Sequence, residues 1–393
     1  MKLNGFRTGI SLALVLISAG CVDRIALPRQ TSEPRVVIAG HISADPGPYM
    51  VKVSESLDIL NPYEIAKPLT VRQMLLIDDL GNIDTLTAPV NGTAGQYYTR
   101  EDGVRGIPGR AYKIRFETRD GRIYESVYDT LPVSAGRIDS VYTSFERRDK
   151  VFDEDTRYNF EDQDFTYGFN IQFNASGLNS RNWHMWNFIG TYQVRTDPTR
   201  HRIPCLGGGP DCPKDSGNCG CLSPLECSGA YSGGLSECEC CVCWVTVNNT
   251  APVLPDLRLT GLNHISAAFM PLTPYTFMFK VHARVDQLAI SGQTYSFFKA
   301  ILQQQQAKGS LFQPMTGQIR GNIVQVSGNP VQAEGIFYST LATSKAIFIY
   351  PEEIPDPKFI PEIDPRWYPY KKIWNSCLDF PKSTTTKPSF WID

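Results

Sequence analysis

The clearest pattern in the chain is a two-residue alternation of apolar and polar positions, which is typical of strands that are buried on one face. In the segment AYKIRFET, Tyr112, Ile114 and Phe116 alternate with charged residues. Segments of this kind recur between residues 35 and 131, with turn residues about every 8 to 12 positions. About seven strands at this spacing predict an immunoglobulin-like antiparallel β-sandwich over residues 35–131.

Short turn sequences connect these strands. DLGN at 79–82 and RDG at 119–121 each lie between two strand-like segments, an arrangement that predicts β-hairpins. Strands joined in this way pair with their neighbours along the chain, and residues 35–131 contain no cysteine. We therefore expect this segment to fold on its own.

Residues 132–393 predict a second, larger β-rich domain. Its clearest strand is YTFMFKVHARVD, in which apolar residues alternate from Tyr275 to Val285, and later strands are predicted in GNIVQVSG, EGIFYSTL and KAIFIY. Between them, SGQTYSFFKAILQQQQA predicts an amphipathic helix, because Tyr295, Phe298 and Leu302 share one helical face. Ser291 is its expected N-cap. The predicted fold class is thus mainly β, with one amphipathic helix and a disulfide-rich insert in the second domain.

The segment from residue 351 to residue 374 is rich in proline, with six prolines between positions 351 and 369. So many prolines disfavour a helix or a central strand, and we expect an extended arm that crosses the surface. Its aromatic end is a candidate surface for a partner or ligand, although packing against the domain is the alternative. The four rings are Trp367, Tyr368, Tyr370 and Trp374.

The first residues predict an exported protein. Lys2 and Arg7 precede a short apolar run, which is too short to span a bilayer and is typical of a signal peptide over residues 1–20. Small residues lead directly into Cys21, as in the lipobox of bacterial lipoproteins, so Cys21 is the predicted site of lipidation and residues 21–34 are a tether to the bilayer. The alternative is an ordinary secretory signal followed by an incidental cysteine.

Cysteines are concentrated in a second cluster. Nine lie between residues 205 and 243, a segment rich in Gly, Pro and Ser, and one lies near the end of the chain. In an exported protein such cysteines form disulfides, and the spacing lacks the C-x2-C pairs of zinc sites. An odd number in the insert leaves Cys377 as the outside partner of one of them, with the pairing otherwise open. The predicted disulfide cysteines are Cys205, Cys212, Cys219, Cys221, Cys227, Cys238, Cys240, Cys241, Cys243 and Cys377.

Charge and motifs exclude several classes of function. The chain of 393 residues has a formal net charge of −2, and loss of Lys2 and Arg7 with the signal makes it −4, which does not suit a nucleic-acid surface. The five histidines form no zinc-binding spacing, and neither a nucleophile elbow nor a phosphate-binding loop occurs. We therefore predict no catalytic residues, no metal, no cofactor and no enzyme activity.

The ordered motifs resemble a known family, the lipoproteins of Bacteroidota outer membranes grouped as domain of unknown function 4249. The shared segments are the lipidated cysteine, VVIAGHIS, LIDDLGN, GQYYT, GRAYKIRFETRDGRIYES, TYSFFKAILQQQ and the closing TKPSFW. The resemblance implies a disulfide from the tail to the insert, because a second tail cysteine often found near Phe380 is missing here. It also implies an outer-membrane lipoprotein, often linked with TonB-dependent transporters.

Two functions are consistent with these observations. The first is a non-catalytic accessory or ligand-binding partner of a TonB-dependent transporter or envelope machine, anchored by lipid on the periplasmic or cell-surface face of the outer membrane. The alternative is a self-sufficient surface binder or adhesin for a glycan or a host protein.

Overall fold

The computed structural model describes residues 34–56, 66–90, 92–149, 165–178, 183–195, 242–249, 251–255, 263–273, 275–306, 319–327, 333–359 and 377–392. Residues 35–393 form one compact unit. The strands of the first third are β1 (Val36–Ser43), β2 (Met50–Glu55), β3 (Val71–Asp78), β4 (Ile83–Thr85), β5 (Gln96–Tyr98), β6 (Ala111–Thr118), β7 (Ile123–Ser126) and β8 (Asp129–Thr130).

The remaining elements complete a mainly β fold, as predicted. The later strands are β9 (Arg137–Asp149), β10 (Phe165–Ser176), β11 (Trp183–Arg195), β12 (Val242–Asn248), β13 (Ile265–Pro271), β14 (Val281–Ile290), β15 (Ile323–Gln325), β16 (Glu334–Ile349) and β17 (Ser383–Thr384). The helix α1 (Gly292–Gln306) follows β14.

One long sheet organises the molecule. Its strand order is β17-β12-β11-β14-β16-β1-β2-β5, so it joins strands from both ends of the chain. A six-stranded sheet has the order β15-β7-β6-β3-β4, with β8 paired to β6, and a three-stranded sheet has the order β13-β10-β9. The two smaller sheets cover the same face of the long sheet. Alternate residues of a strand point to one face, so Phe337 and Ile349 of β16 lie on the same side of the long sheet. Phe337 packs in the apolar core that includes the six-stranded sheet, and Ile349 packs in the core that includes the three-stranded sheet.

The two predicted hairpins are confirmed. β3 and β4 pair across the DLGN turn, where Gly81 has a φ of +86° that favours glycine. Asp78 Oδ1 accepts hydrogen bonds from the backbone N–H groups of Leu80 (2.9 Å) and Asn82 (2.8 Å), which fixes this turn. β6 and β7 pair across the RDG turn in the same antiparallel manner.

The expectation that the strands of residues 35–131 pair only with one another is wrong. β1 is parallel to β16, with Val37 opposite Glu334 and Ser43 opposite Thr340. β15 adds to the edge of the six-stranded sheet, where Ile323 lies opposite Ser126. A parallel partner needs a long crossover connection, and here nearly the whole chain supplies it. Sheet pairing therefore crosses residue 131.

Residue 131 separates the two apolar cores more cleanly than it separates the sheets. One core comes from residues 36–131, completed by Ile323, Ala333 and Phe337. The other comes from residues 138–354 together with Phe380, and Trp186 is fully buried in it. The alternating pattern correctly predicted the burial of Tyr112, Ile114 and Phe116 in the first core and of Phe277, Val281, Ala283 and Val285 in the second. Long-range pairing joins the two cores through β16.

Two predicted strands have different limits. The strand predicted to start at Tyr275 starts at Val281, because the preceding residues form a turn in which Thr276 Oγ1 donates to the Pro271 carbonyl at 3.1 Å. The two strands predicted in EGIFYSTL and KAIFIY are a single strand, β16.

The predicted helix is confirmed. Ser291 Oγ accepts a hydrogen bond from the Thr294 N–H at 3.2 Å, as expected for an N-cap. Tyr295 and Phe298 pack on Met185 and Leu288 of the long sheet. Leu288 and Val285 are three positions apart on β14, so their side chains point to opposite faces of the sheet. Val285 faces the core beneath the smaller sheets, and the helix therefore packs on the other face, which those sheets leave uncovered. We call this the outer face.

The described start of the proline-rich arm is not extended. Pro351–Glu353 and Pro357–Phe359 form two short 3₁₀ turns. Ile354 between them is buried in the second core. Phe359 stacks on Tyr167 with ring centroids 4.3 Å apart. Proline fixes φ at a value that suits such turns, and the apolar residues between the prolines bind the turns to the core.

Candidate functional site

Most of the residues that the sequence singled out lie outside the described residues. These are Cys21, the insert cysteines from Cys205 to Cys241, and the arm rings Trp367, Tyr368, Tyr370 and Trp374. Their lipidation, pairing and binding roles stay predictions. The structure does describe Cys243 and Cys377.

These two cysteines form a disulfide with Cα atoms 5.5 Å apart, and both are fully buried. The prediction that the tail cysteine bonds to a cysteine of the segment 205–243 is confirmed. Sequence left the partner open, and the structure assigns it to Cys243, the last cysteine of that segment and the second residue of β12. The end of the chain is thereby joined to the long sheet.

After Cys377 the chain runs along the edge of this sheet and then across it. We call residues 377–392 the C-terminal strap. Its short strand β17 pairs with β12, with Trp244 opposite Thr384. Before that strand, the Phe380 ring packs against Tyr275 with centroids 5.2 Å apart. The TKPSFW motif forms the last part of the strap.

The strap covers the outer face. Thr191 lies opposite His282, and His282 lies opposite Phe348, so these side chains share one face of the long sheet. Phe390 stacks on His282 with centroids 4.1 Å apart. The intervening residues Val281 and Ala283 face the core. The motif that closes the chain is therefore a cover for this end of the sheet.

Trp391 is the anchor of the strap and is almost completely buried. Its ring meets Trp244 edge-on at 6.3 Å and Phe348 edge-on at 5.8 Å between centroids. The Lys280 ammonium lies 5.4 Å from the Trp391 centroid and 4.9 Å from that of Phe348, and it donates a hydrogen bond to the Ile392 carbonyl. Cation–π and hydrogen-bond contacts thus hold the end of the strap.

A cavity of about 290 Å³ opens beside this anchor. It lies where β11 ends, β14 begins and β16 ends, and the strap closes one side. We call it the C-terminal cavity. It is lined by Gln193, Arg195, Phe279, Lys280, Tyr350, Glu352 and Trp391.

The lining combines aromatic rings with charge. The Arg195 guanidinium lies 4.5 Å from the Phe279 ring centroid. Within the described part of the chain, no carboxylate forms an ion pair with it. Glu352 is the acidic residue of the lining, and Tyr350 leaves about half of its surface exposed, 46%. The nearby His282 adds no charge at neutral pH, because burial first and Arg284 second lower its pKa. The lining therefore has two cations and one carboxylate.

Two further buried groups with shifted pKa values, His184 and Asp129, are not among the residues that line the cavity. Burial lowers the pKa of His184 to about 4, although a hydrogen bond with the Ala135 backbone opposes the shift. Burial raises the pKa of the Asp129 carboxyl. Asp129 on β8 is hydrogen-bonded to Ser339 on β16, and His184 on β11 is hydrogen-bonded to the Ala135 backbone. Among the described residues, no group of acidic, histidine or cysteine side chains could hold a metal ion.

Sequence reasoning did not find the residues of the C-terminal cavity. They come from four separate segments and share no spacing. Phe279, Lys280 and Tyr350 belong to predicted strands, Glu352 to the proline-rich arm and Trp391 to the TKPSFW motif, but none of them was predicted to bind a ligand. The available signal was TKPSFW itself, because an apolar pair in a polar tail indicates a buried anchor.

The comparisons place the chain in a family. Residues 23–346 match the model of the family described as Domain of unknown function (DUF4249), so the chain belongs to this family and the membership expected from its motifs is confirmed. A search of curated proteins finds no match, and neither does a search of solved structures. Within the described residues, no helix is long and apolar enough to cross a membrane.

Proposed function

We propose that this protein is a lipid-anchored binding protein of the outer membrane that holds a small ligand in its C-terminal cavity without catalysing a reaction. The observation that carries the proposal is the lining of the cavity, which combines three aromatic residues with an amide, two cations and a carboxylate. Concave sites with aromatic walls and a few polar groups are the usual form of small-ligand sites.

Preorganisation supports a binding role. The strap that closes the cavity is held at one end by the Cys243–Cys377 disulfide and at the other by Trp391. A site whose walls are already ordered loses less conformational entropy when a ligand binds. The cavity therefore has the properties of a preformed receptor surface.

Ligand retention tests this role directly. Protein purified from its native envelope in mild detergent should carry a small molecule that native mass spectrometry detects as an added mass. The variant Tyr350→Ala, which removes an exposed wall of the cavity, should lose it. Tyr128→Ala, which removes a similarly exposed ring elsewhere, is the matched control. Equal retention by both variants would contradict the proposal.

The membrane anchor is proposed to be the acylated Cys21, on the basis of the lipobox sequence. Metabolic labelling with a clickable palmitate should mark the wild-type protein and should fail to mark Cys21→Ser. That variant should also leave the membrane fraction. Labelling of Cys21→Ser at the wild-type level would refute lipidation at this residue.

A TonB-dependent transporter is the proposed partner, and this part rests on the family resemblance. A tagged form extracted in mild detergent should recover a β-barrel protein of that class. Removal of the whole arm is a poor test, because Ile354 and Phe359 pack in or against the core. Substitution of Trp367 and Trp374 by Ala tests these two rings and keeps Ile354 and Phe359 in the chain.

The alternative is a self-sufficient surface binder of a glycan. The aromatic lining of the cavity favours this class as much as it favours a transporter partner. The two differ in one observation: the surface binder purifies alone under several detergents and retains its ligand, whereas the accessory protein purifies with its barrel.

A further inference from the structure

We infer that the ligand of the C-terminal cavity is a carboxylated sugar ring, such as a hexuronate. This inference deepens the proposed function and rests on it. It goes further by assigning a chemical class to the ligand and a role to each wall of the cavity.

Arg195 is the group that would bind the carboxylate. It is exposed, and its guanidinium lies over Phe279 at 4.5 Å. A guanidinium stacked on a ring keeps its N–H donors available at its edge, where they match a carboxylate in a two-point hydrogen bond. Lys280 already donates to the Ile392 carbonyl and lies near two rings. Arg195 is therefore the cation whose N–H groups can bind the carboxylate, and Lys280 adds a second positive charge to the lining.

The remaining walls fit a sugar ring. Tyr350, which is 46% exposed, offers an apolar face that suits the C–H face of a pyranose, and the small exposed part of the buried Trp391 completes this wall. Gln193 can donate and accept hydrogen bonds, and the Glu352 carboxylate accepts them, so both can bind hydroxyl groups. A purely apolar ligand would leave these polar groups without partners, at a loss of affinity.

Volume limits the size of the ligand. The cavity of about 290 Å³ is slightly smaller than the usual range for ligand sites, which is about 300–1,000 Å³. One ring fits this space, and a longer chain would have to leave through the open side. The site can therefore bind a free uronate or a single uronate unit of a polysaccharide.

Local charge favours an anion even though the whole protein is weakly acidic. The chain has a formal net charge of −2, whereas the cavity lining has two cations against one carboxylate. The excess of positive charge at this site should make binding of an acidic sugar weaken as salt concentration rises, because exposed charges are screened. Binding of a neutral sugar should not respond in this way.

Calorimetric titration of the detergent-solubilised full chain tests the inference. Three probes separate its parts: galacturonate has both ring and carboxylate, galactose has the ring alone, and acetate has the carboxylate alone. We expect galacturonate to bind at least about tenfold more tightly than either of the others, as a charge-assisted hydrogen bond requires. A fourth titration with trigalacturonate distinguishes the two possible sources of the ligand. Tighter binding of the trimer than of the monomer would indicate a unit of a polysaccharide, and equal binding would indicate a free acid.

Two variants assign the effect to Arg195. Arg195→Gln should reduce the affinity for galacturonate to that for galactose. Arg147→Gln is the matched control, because Arg147 is also an exposed arginine over a phenylalanine, Phe165, at 4.1 Å in another sheet. It should bind both sugars like the wild type.

The outcomes separate this inference from the proposed function. Equal affinity for galactose and galacturonate, unchanged in Arg195→Gln, would overturn the acidic-sugar assignment and leave the cavity as a ligand site. No binding of any probe would also overturn the assignment. In that case the native ligand detected by mass spectrometry decides whether the proposed function survives.

Discussion

The Asp129 carboxylate accepts a hydrogen bond from the backbone N–H of Ser339 at 2.7 Å, across 210 positions of sequence. In return the Ser339 hydroxyl donates to the Asp129 carbonyl at 2.9 Å. Asp129 belongs to β8 of the six-stranded sheet and Ser339 to β16 of the long sheet. This reciprocal pair therefore joins the two layers around the first core, at a buried position where water cannot replace either partner.

Loss of the Asp129 side chain should destabilise the protein. Asp129→Ala leaves the buried Ser339 N–H without its partner, which typically costs about 1–3 kcal/mol of unfolding free energy. Asp129→Asn keeps a carbonyl acceptor of the same shape and should lose less than the alanine variant. Urea unfolding followed by tryptophan fluorescence measures both. Equal midpoints for Asp129→Ala and the wild type would show that the pair does not contribute to stability.

The segment 35–131 should not fold when excised. It would lack β16 as the partner of β1, and it would lack β15 and the fully buried Phe337 and Ile323 of its core. We expect poor dispersion of its amide resonances and aggregation. In the full chain, Phe337→Ala should cost about 3–5 kcal/mol, as for other large core residues. A well-dispersed spectrum of the fragment would show that β1 and β7 tolerate the loss of these partners.

Stability should fall below neutral pH because of His184. Its pKa is about 4 in the folded protein against an ordinary value of 6.5. Between these two pH values His184 is therefore protonated in the unfolded chain and neutral in the folded chain. The contribution of His184 to the free energy of unfolding is complete above pH 6.5. It decreases by about 3 kcal/mol as the pH falls to 4.

The variant His184→Gln isolates this contribution, because glutamine does not titrate. Unfolding of the wild type and the variant should be compared at pH 7, 6, 5 and 4, so that groups common to both proteins cancel. The difference in unfolding free energy should change across this range in favour of the variant at low pH. A constant difference would mean that His184 is protonated equally in both states.

Removal of the Cys243–Cys377 disulfide should destabilise the protein and loosen the strap. The two residues are 134 positions apart, and loss of a native crosslink typically costs about 2–5 kcal/mol. Cys377→Ser and Cys243→Ser should have similar effects, and the double variant should lose no more than either. Additive losses in the double variant would indicate that the two thiols act separately.

The alternation of apolar residues was sufficient to predict strands, hairpins and the helix, because these depend on neighbours in sequence. Tyr112, Ile114 and Phe116 are buried as that pattern requires. It could not predict that β1 pairs with β16, since nothing in VVIAGHIS specifies a partner some three hundred positions away. The start of β14 was misplaced for a related reason: alternation continues through Tyr275–Phe279, but side-chain hydrogen bonds of Thr276 make a turn there.

The candidate site was harder to predict than the fold. Cys377 could be assigned to the insert from cysteine number and family pattern, but its partner Cys243 needed the position of β12 beside the strap. Arg195 carries no sequence signal, because a single exposed arginine is common. It becomes informative only when the end of β11 places it beside Phe279 and Trp391.

A crystal structure of the protein soaked with galacturonate tests the central claim most directly, because it locates the ligand. We predict a sugar ring against the exposed Tyr350 with its carboxylate within about 3 Å of the Arg195 guanidinium, and a lower occupancy of the cavity in Arg195→Gln crystals soaked at the same concentration. Galacturonate bound elsewhere, or a cavity still empty at a concentration that saturates binding in solution, would contradict the account.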